Sequence, residues 1–216
     1  MAIQEPYNSN GIRGLGISTK IISDTKSFSK VPKDNDIKAA IAIAYPDIRA
    51  LKLEHLCNTI LMCAKLRTTT TGFYMVSVYF QCSELIIVYI RHFEEILQAL
   101  HGQEIILCLD ANASSTILHS KAINRKGKQL GSLTQQHRLS DVNTPQRSTT
   151  FDNNHGNSNI DVTLGTNAVP KQLGNWKVRQ HQTTSDRNLI TFELTRATQD
   201  IIARCNNRFN IKRANW

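Results

Sequence analysis

The sequence predicts an α+β sandwich, two packed sheets with helices on the outside. Three observations lead there. Short apolar or alternating runs rich in Ile, Val, Tyr and Phe recur along the chain, with polar turns between them. Helical spacing stands out in only two stretches. The length, 216 residues, suits one domain with a sizeable core. Many strands and few helices pack as sheet on sheet, with the helices covering the outer faces.

In chain order, Ala39 to Tyr45, Thr59 to Leu66 and Phe73 to Phe80 read as strands. Ile86, Ile90, Phe93, Leu97 and Leu100 recur at helical spacing, with Ser83 as the expected N-cap and Gly102 closing the helix. Ile105 to Leu109 is a continuous apolar run bounded by charge, as a buried central strand requires. A second helix spans about Lys126 to Leu139. Asn159 to Leu164, Trp176 to His181 and Asn188 to Leu194 supply the later strands. Arg196 to Trp216 is polar and basic, and reads as a linker toward a further region. The expected domain is therefore residues 1–195, and the linker 196–216.

Hydrophobic residues make up 40% and charged residues 20%, the balance of a soluble globular protein. No apolar run approaches the ~20 residues that cross a bilayer; Leu85 to Ile90 stops at Arg91 and His92. The start, Met1-Ala2-Ile3-Gln4-Glu5, is neither a signal peptide nor a transit sequence. Lys and Arg outnumber Asp and Glu by 26 to 17, a formal charge of +9 that favours polyanionic partners through counterion release. The cysteines are Cys57, Cys63, Cys82, Cys108 and Cys205. An odd count without a C-x-x-C pair argues for reduced thiols in the cytosol or nucleus, and against a zinc site.

Four places put a carboxylate at a strand edge among small or polar residues: Gln4-Glu5-Pro6, Asp110-Ala111-Asn112, Asn159-Ile160-Asp161 and Ser185-Asp186. Taken singly, each acid reads as a turn residue that ends a strand. Strands of a sandwich deliver their ends to one rim, where converging carboxylates repel unless a hard cation lies between them. Mg2+ is the natural cation, because it needs only one or two carboxylates beside a substrate phosphate.

In this order the motifs resemble the exonuclease–endonuclease–phosphatase superfamily, and within it the endonuclease domains of non-LTR retrotransposons. The likeness is carried by Gln4-Glu5-Pro6-Tyr7, Ser77-Val78-Tyr79-Phe80, Asp110-Ala111-Asn112-Ala113-Ser114, Thr150-Phe151, Ser158-Asn159-Ile160-Asp161-Val162-Thr163-Leu164 and Ser185-Asp186. It implies a four-layer α/β/β/α sandwich of two mixed sheets. The family opens with a strand and helix that precede Gln-Glu, so the resemblance implies a domain without them. It also implies roles. Glu5 resembles the principal metal ligand, and Asp186 a second ligand or site acid. Asp110 resembles the residue that orients the attacking water, Asn112 and Tyr79 those that hold the scissile phosphate, and Asp161 the acid that orients the catalytic histidine.

Where the family has Ser-Asp-His, this chain reads Ser185-Asp186-Arg187. Arginine can stabilise negative charge but cannot shuttle a proton near neutral pH. Pairing of Asp161 with Arg187 would keep the geometry without acid–base function. His155 and His181 lie in nearby motifs but not at the histidine's position. Tyr7, Arg13 in the glycine-rich Gly11 to Gly16 stretch, and Arg187 are candidate DNA contacts, and the Lys121 to Lys128 cluster could grip phosphates. Two readings follow. One is a magnesium-dependent endonuclease that nicks double-stranded DNA and leaves a 3′ hydroxyl for a reverse transcriptase in the same polyprotein. The other is an inactive relic that keeps the fold and weak DNA binding. A small-molecule phosphatase of the same fold is disfavoured by the retrotransposon-like motifs and the basic tail.

Overall fold

The structure, a computed structural model, describes residues 1–4, 20–22, 38–116, 119–120, 122–146, 148–154, 156–166, 168–180 and 186–194. Its strands in chain order are β1 (Ala2–Gln4), β2 (Lys20–Ile22), β3 (Ala39–Ile43), β4 (Arg49–Lys52), β5 (Leu61–Arg67), β6 (Gly72–Tyr79) and β7 (Ile105–Asp110). They continue with β8 (Ser140–Asp141), β9 (Phe151–Asn153), β10 (Gly156–Ser158), β11 (Asp161–Gly165), β12 (Leu173–Arg179) and β13 (Leu189–Leu194). The helices are α1 (Ile86–Ala99), α2 (Arg125–Gln136) and the single turn α3 (Val169–Gln172).

Among the described residues, a six-stranded sheet runs in the order β4-β5-β6-β7-β11-β8. Its β6–β7 pair is parallel and its other pairs are antiparallel. The parallel step follows from α1, which carries the chain from the end of β6 back to the start of β7. Residues alternate between the two faces of a strand, so each strand serves two cores. Leu61, Cys63, Val76, Val78, Leu107, Leu109, Val162 and Leu164 face α1 and α2, where they meet Tyr89, Phe93, Ile96, Leu130 and Leu133. Phe80 anchors that side, stacked on Tyr89 at 4.5 Å and edge-on to Phe93 at 5.7 Å.

Met62, Ala64, Leu66 and Met75 point the other way, onto Ile22, Ala39, Ile41 and Ile43 of the antiparallel sheet β1-β3-β2. The β12–β13 hairpin extends this second layer, packing Trp176 and Val178 against Val142. The two-sheet sandwich expected from the strand pattern is thus present, with a helical layer over the six-stranded sheet. A second helical layer, beyond β1-β3-β2, is not among the described residues. No described helix is long and apolar enough to cross a membrane.

One local expectation fails. Ser83 does not cap α1: the N-cap is Leu85, with no side-chain hydrogen bond, and the Ser83 hydroxyl instead accepts from Gln81 Nε2 at 3.1 Å. The loop before α1 is tied to α2 instead, where Lys126 Nζ donates to the carbonyls of Gln81 and Cys82 at 2.9 and 2.8 Å. The Lys121 to Lys128 cluster therefore has its Lys126 ammonium engaged within the protein, while Arg125 and Lys128 are exposed and Lys121 lies outside the described residues. Gly102 closes the α1 end with φ +76°, as expected.

Candidate active site

Strand register assembles the site. Parallel pairing sets Tyr79 beside Asp110, and antiparallel pairing sets Asp110 directly opposite Asp161. Three residues far apart in the chain thus form one row at one end of the six-stranded sheet. The face they share is set two residues inward, where Ser77, Cys108 and Thr163 all turn toward the second layer. Ser77 Oγ donates to the Ile3 carbonyl at 3.2 Å, Cys108 packs with the β3 core, and Thr163 Oγ1 accepts from Trp176 Nε1 at 3.2 Å. Side chains two apart on a strand point the same way, so Tyr79, Asp110 and Asp161 face the side of the second layer.

Two carboxylates directly opposed across a ladder repel, the more so away from water. Asp110 is fully buried and Asp161 is 8% exposed. Arg187 answers both. Its Nη2 forms an ion pair with Asp110 Oδ2, and its Nη1 lies 3.4 Å from each Asp161 carboxylate oxygen. The arginine is held by a backbone bridge to Phe151, flanked by hydrogen bonds from Asp152 N to the Asp186 carbonyl at 2.9 Å and from Asn188 N to the Thr150 carbonyl at 2.8 Å. The Phe151 ring lies 5.5 Å from the guanidinium carbon. The expected Asp161–Arg187 pairing is present, but Arg187 also takes Asp110, the residue whose resemblance is to the water-orienting acid.

Side chains to which the sequence reading gave no positioning role hold this row. Thr150 is fully buried, and its hydroxyl accepts from the Ile160 and Asp161 amides at 3.1 Å each. Asn143 donates to the Asp161 carbonyl at 2.9 Å and accepts from Thr163 N at 2.8 Å, fixing β11 on both sides of Val162. Asn143 is itself held by Asp141, whose Oδ1 accepts the Asn143 amide at 2.9 Å, while His119 Nε2 lies 3.9 Å from Asp141 Oδ2. Burial pushes the Asp141 carboxyl up to about 6, against the opposing pull of the Asn143 amide and the His119 charge. Burial likewise pushes the Cys63 and Cys108 thiols up to about 12, which leaves them as inert core sulfurs.

The remaining predicted residues fall in different places. Asn112 follows β7 at the same rim with φ 43°, a left-handed conformation that asparagine tolerates. Its side-chain amide donates to the Phe80 carbonyl at 2.7 Å, and its backbone N–H donates to Asp110 Oδ1 at 3.4 Å. Asp186 is exposed and accepts from Asn153 Nδ2 at 3.4 Å, outside the row. Glu5, Tyr7, Arg13, Ser185, His155 and His181 lie outside the described residues. Gln4, bonded to Glu5, is hydrogen-bonded through Nε2 to Ser77 Oγ at 3.2 Å and to the Cys108 carbonyl at 3.1 Å, on the two strands that carry Tyr79 and Asp110.

These donors do not by themselves fit a divalent cation. Asp110 and Asp161 already hold a guanidinium, and no group of three or more His, Cys, Asp or Glu among the described residues could hold a metal.

Comparison with known proteins identifies the family and the fold. The family described as "Endonuclease-reverse transcriptase" matches residues 73–191, more than half of the chain. The chain is 28% identical over 192 residues to the Retrovirus-related Pol polyprotein from type-1 retrotransposable element R1 of Bradysia coprophila, covering 85% of this chain and 19% of that protein. It is 28% identical over 199 residues to a putative 115 kDa protein in type-1 retrotransposable element R1DM of Drosophila melanogaster, covering 88% and 18%. The chain thus spans about a fifth of the length of the curated relatives it matches. Among solved structures, the endonuclease domain of TRAS1, a telomere-specific non-LTR retrotransposon, superposes with TM-score 0.74 at 24% identity, covering 83% of this chain and 81% of that one. The AP endonuclease LMAP from Leishmania major superposes with TM-score 0.58 at 9% identity, over 82% and 71% of the two chains. These two likenesses establish the fold, and the family match carries the rest: the chain belongs to the endonuclease–reverse transcriptase family.

Proposed function

We propose that this domain is built to nick double-stranded DNA, leaving a 3′ hydroxyl that primes a reverse transcriptase in the same polyprotein. The observation that carries this reading is the row of Tyr79, Asp110 and Asp161, three polar groups delivered to one rim by strand register, with Asn112 in the turn beside it. In this reading Tyr79 and Asn112 hold the scissile phosphate, Asp110 orients the attacking water, and Asp161 orients the residue at position 187. Mg2+ is the proposed cofactor, held by Glu5 with Asp186 as a further acid. Bound there, it would neutralise charge on the phosphate. No step assigned to the chain's own residues depends on where it sits.

The ion pair between Arg187 and Asp110 favours a second reading, a domain that keeps the scaffold without turnover. An acid committed to a permanently charged guanidinium is a poor base, and arginine does not exchange a proton near neutral pH.

The test is incubation of supercoiled plasmid with Mg2+ and the purified chain, beside Arg187→His and Glu5→Ala versions checked for folding by circular dichroism. Nicking by the unmodified chain that Glu5→Ala abolishes supports a working enzyme. Nicking only by Arg187→His, at least tenfold above the unmodified chain, supports the scaffold without turnover. Folded protein silent in every version sinks the claim that these residues still form a site.

A further inference from the structure

The opposite end of the six-stranded sheet carries a second feature that the nicking site does not use. Where β5 turns into β6, the Thr68–Thr71 loop, the end of α1 and α3 enclose an open trough of about 910 Å3. That volume is within the range of sites that take a nucleotide-sized ligand. Lys65, Arg67 and Lys171 line it, and none of them pairs with a carboxylate among the described residues. Among the described residues of the lining the one acid is Glu104, which accepts from Gln172 Nε2 at 3.0 Å. Tyr74 lies in the same trough, with the Lys65 ammonium 5.1 Å from its ring centroid. Arg49 and Arg67 meet in the neighbouring recess of about 300 Å3, where Asp47 is the acid.

Cations that pair with no carboxylate among the described residues, beside hydroxyls and a half-buried aromatic ring, are the ingredients with which proteins hold a nucleic-acid strand by its phosphates and bases. We propose that this trough binds a single polynucleotide strand, with Arg67 and Lys171 on successive phosphates and the Lys65–Tyr74 pair against a base. Seven residue steps along β6 separate Gly72 from Tyr79, roughly 23 Å at ~3.3 Å per residue. The strand held here is therefore a different segment of nucleic acid from the one at the Asp110 row. Tyr74 can meet a base only where bases are splayed out of a stack, as in a single strand, which is why a single strand is the stated ligand.

The test measures binding of a fluorescein-labelled single-stranded oligodeoxynucleotide by anisotropy across a range of NaCl. The unmodified chain is compared with Arg67→Ala/Lys171→Ala, and with Lys177→Ala/Arg179→Ala on the exposed face of β12 as control. Loss of two phosphate contacts should weaken binding about tenfold and flatten the slope of log K against log salt by about 1.4, at ~0.7 per contact on single strands. The control pair should leave the slope unchanged. Unaltered slope and affinity in the trough variant overturn the proposal. So does competition by inorganic phosphate at a concentration that leaves the control's salt slope intact, which would mark a free-phosphate site. An equal slope change with a blunt duplex probe overturns the single-strand assignment. None of these readouts uses nicking, so a failure of the endonuclease reading leaves this test intact.

Discussion

A planar guanidinium can turn separate N–H edges to two carboxylates at once, which an ammonium cannot do with fixed geometry. Arg187 does this between a fully buried Asp110 and a nearly buried Asp161. Removing one partner of such an arrangement leaves uncompensated buried charge, at a cost of about 3 kcal/mol. Arg187→Ala is expected to lose about that much stability in urea unfolding, and Asp110→Asn in the same background should return at least half of it. Equal stabilities of Arg187→Ala and the unmodified chain would show that the ion pairs carry no net stabilisation. The acids and the arginine were legible in the sequence, because their motifs stand at strand ends. Thr150 and Asn143 were not singled out as positioning residues. Their roles depend on which backbone amides the folded chain brings to them, and no local pattern encodes a partner 11 or 18 residues away.

At the scale of elements, α2 approaches the sheet through a glycine. A Cβ on Gly127 would lie 1.9 Å from the Ser114 carbonyl oxygen, so backbone must move to admit even a methyl group. Asn124 adds to the fixity of this corner, since its Oδ1 accepts from both Gly127 N at 2.7 Å and Ser114 N at 3.2 Å. Although alanine is the better helix former, Gly127→Ala is expected to destabilise by about 1–3 kcal/mol, the usual cost of overpacking. Thermal unfolding would show it, and a rise in Tm would mean that the corner yields freely. The interior strands and both long helices were legible because each buries an apolar face of regular period. The short or edge strands β1, β2, β4, β8, β9 and β10 were not read as strands from sequence. Strand β4 alternates exposed and half-buried residues, and the others are two or three residues long, too short for a period to register.

For the molecule as a whole, stability should carry the imprint of Asp141. Its carboxyl titrates near 6 in the folded state, above its ordinary value of 3.8, so the folded chain binds the proton more tightly than the unfolded chain. The stabilisation from this group is complete below pH 4 and is lost as pH rises through 6. Asp141→Asn retains an oxygen for the Asn143 amide and removes the charge. It should flatten the dependence of unfolding free energy on pH between 4 and 6 and add on the order of 1 kcal/mol at pH 7, after allowance for partial exposure. A variant with an unchanged pH profile would exclude this role. At this scale the sandwich was legible, because strand-rich sequence with two helices has few ways to bury its apolar faces. The trough was not, since it is enclosed by three separate segments whose meeting is a property of topology.

The alignment of Tyr79, Asp110 and Asp161 also bears on which changes in chain length the domain can absorb. Between Tyr79 and Asp110 the chain leaves the sheet for α1, and between Asp110 and Asp161 it leaves for α2. Residues gained or lost in those excursions, for instance near Gly102, alter a loop and leave the three side chains facing one another. A single residue inserted within β7 before Asp110 reverses the pleat from that point, and turns the carboxylate toward Phe93 and Leu130 on the helical side. Copies of this domain that differ by insertions and deletions should therefore show them between the strands of the row, whereas a one-residue indel inside β6, β7 or β11 removes the site while sparing most of the fold.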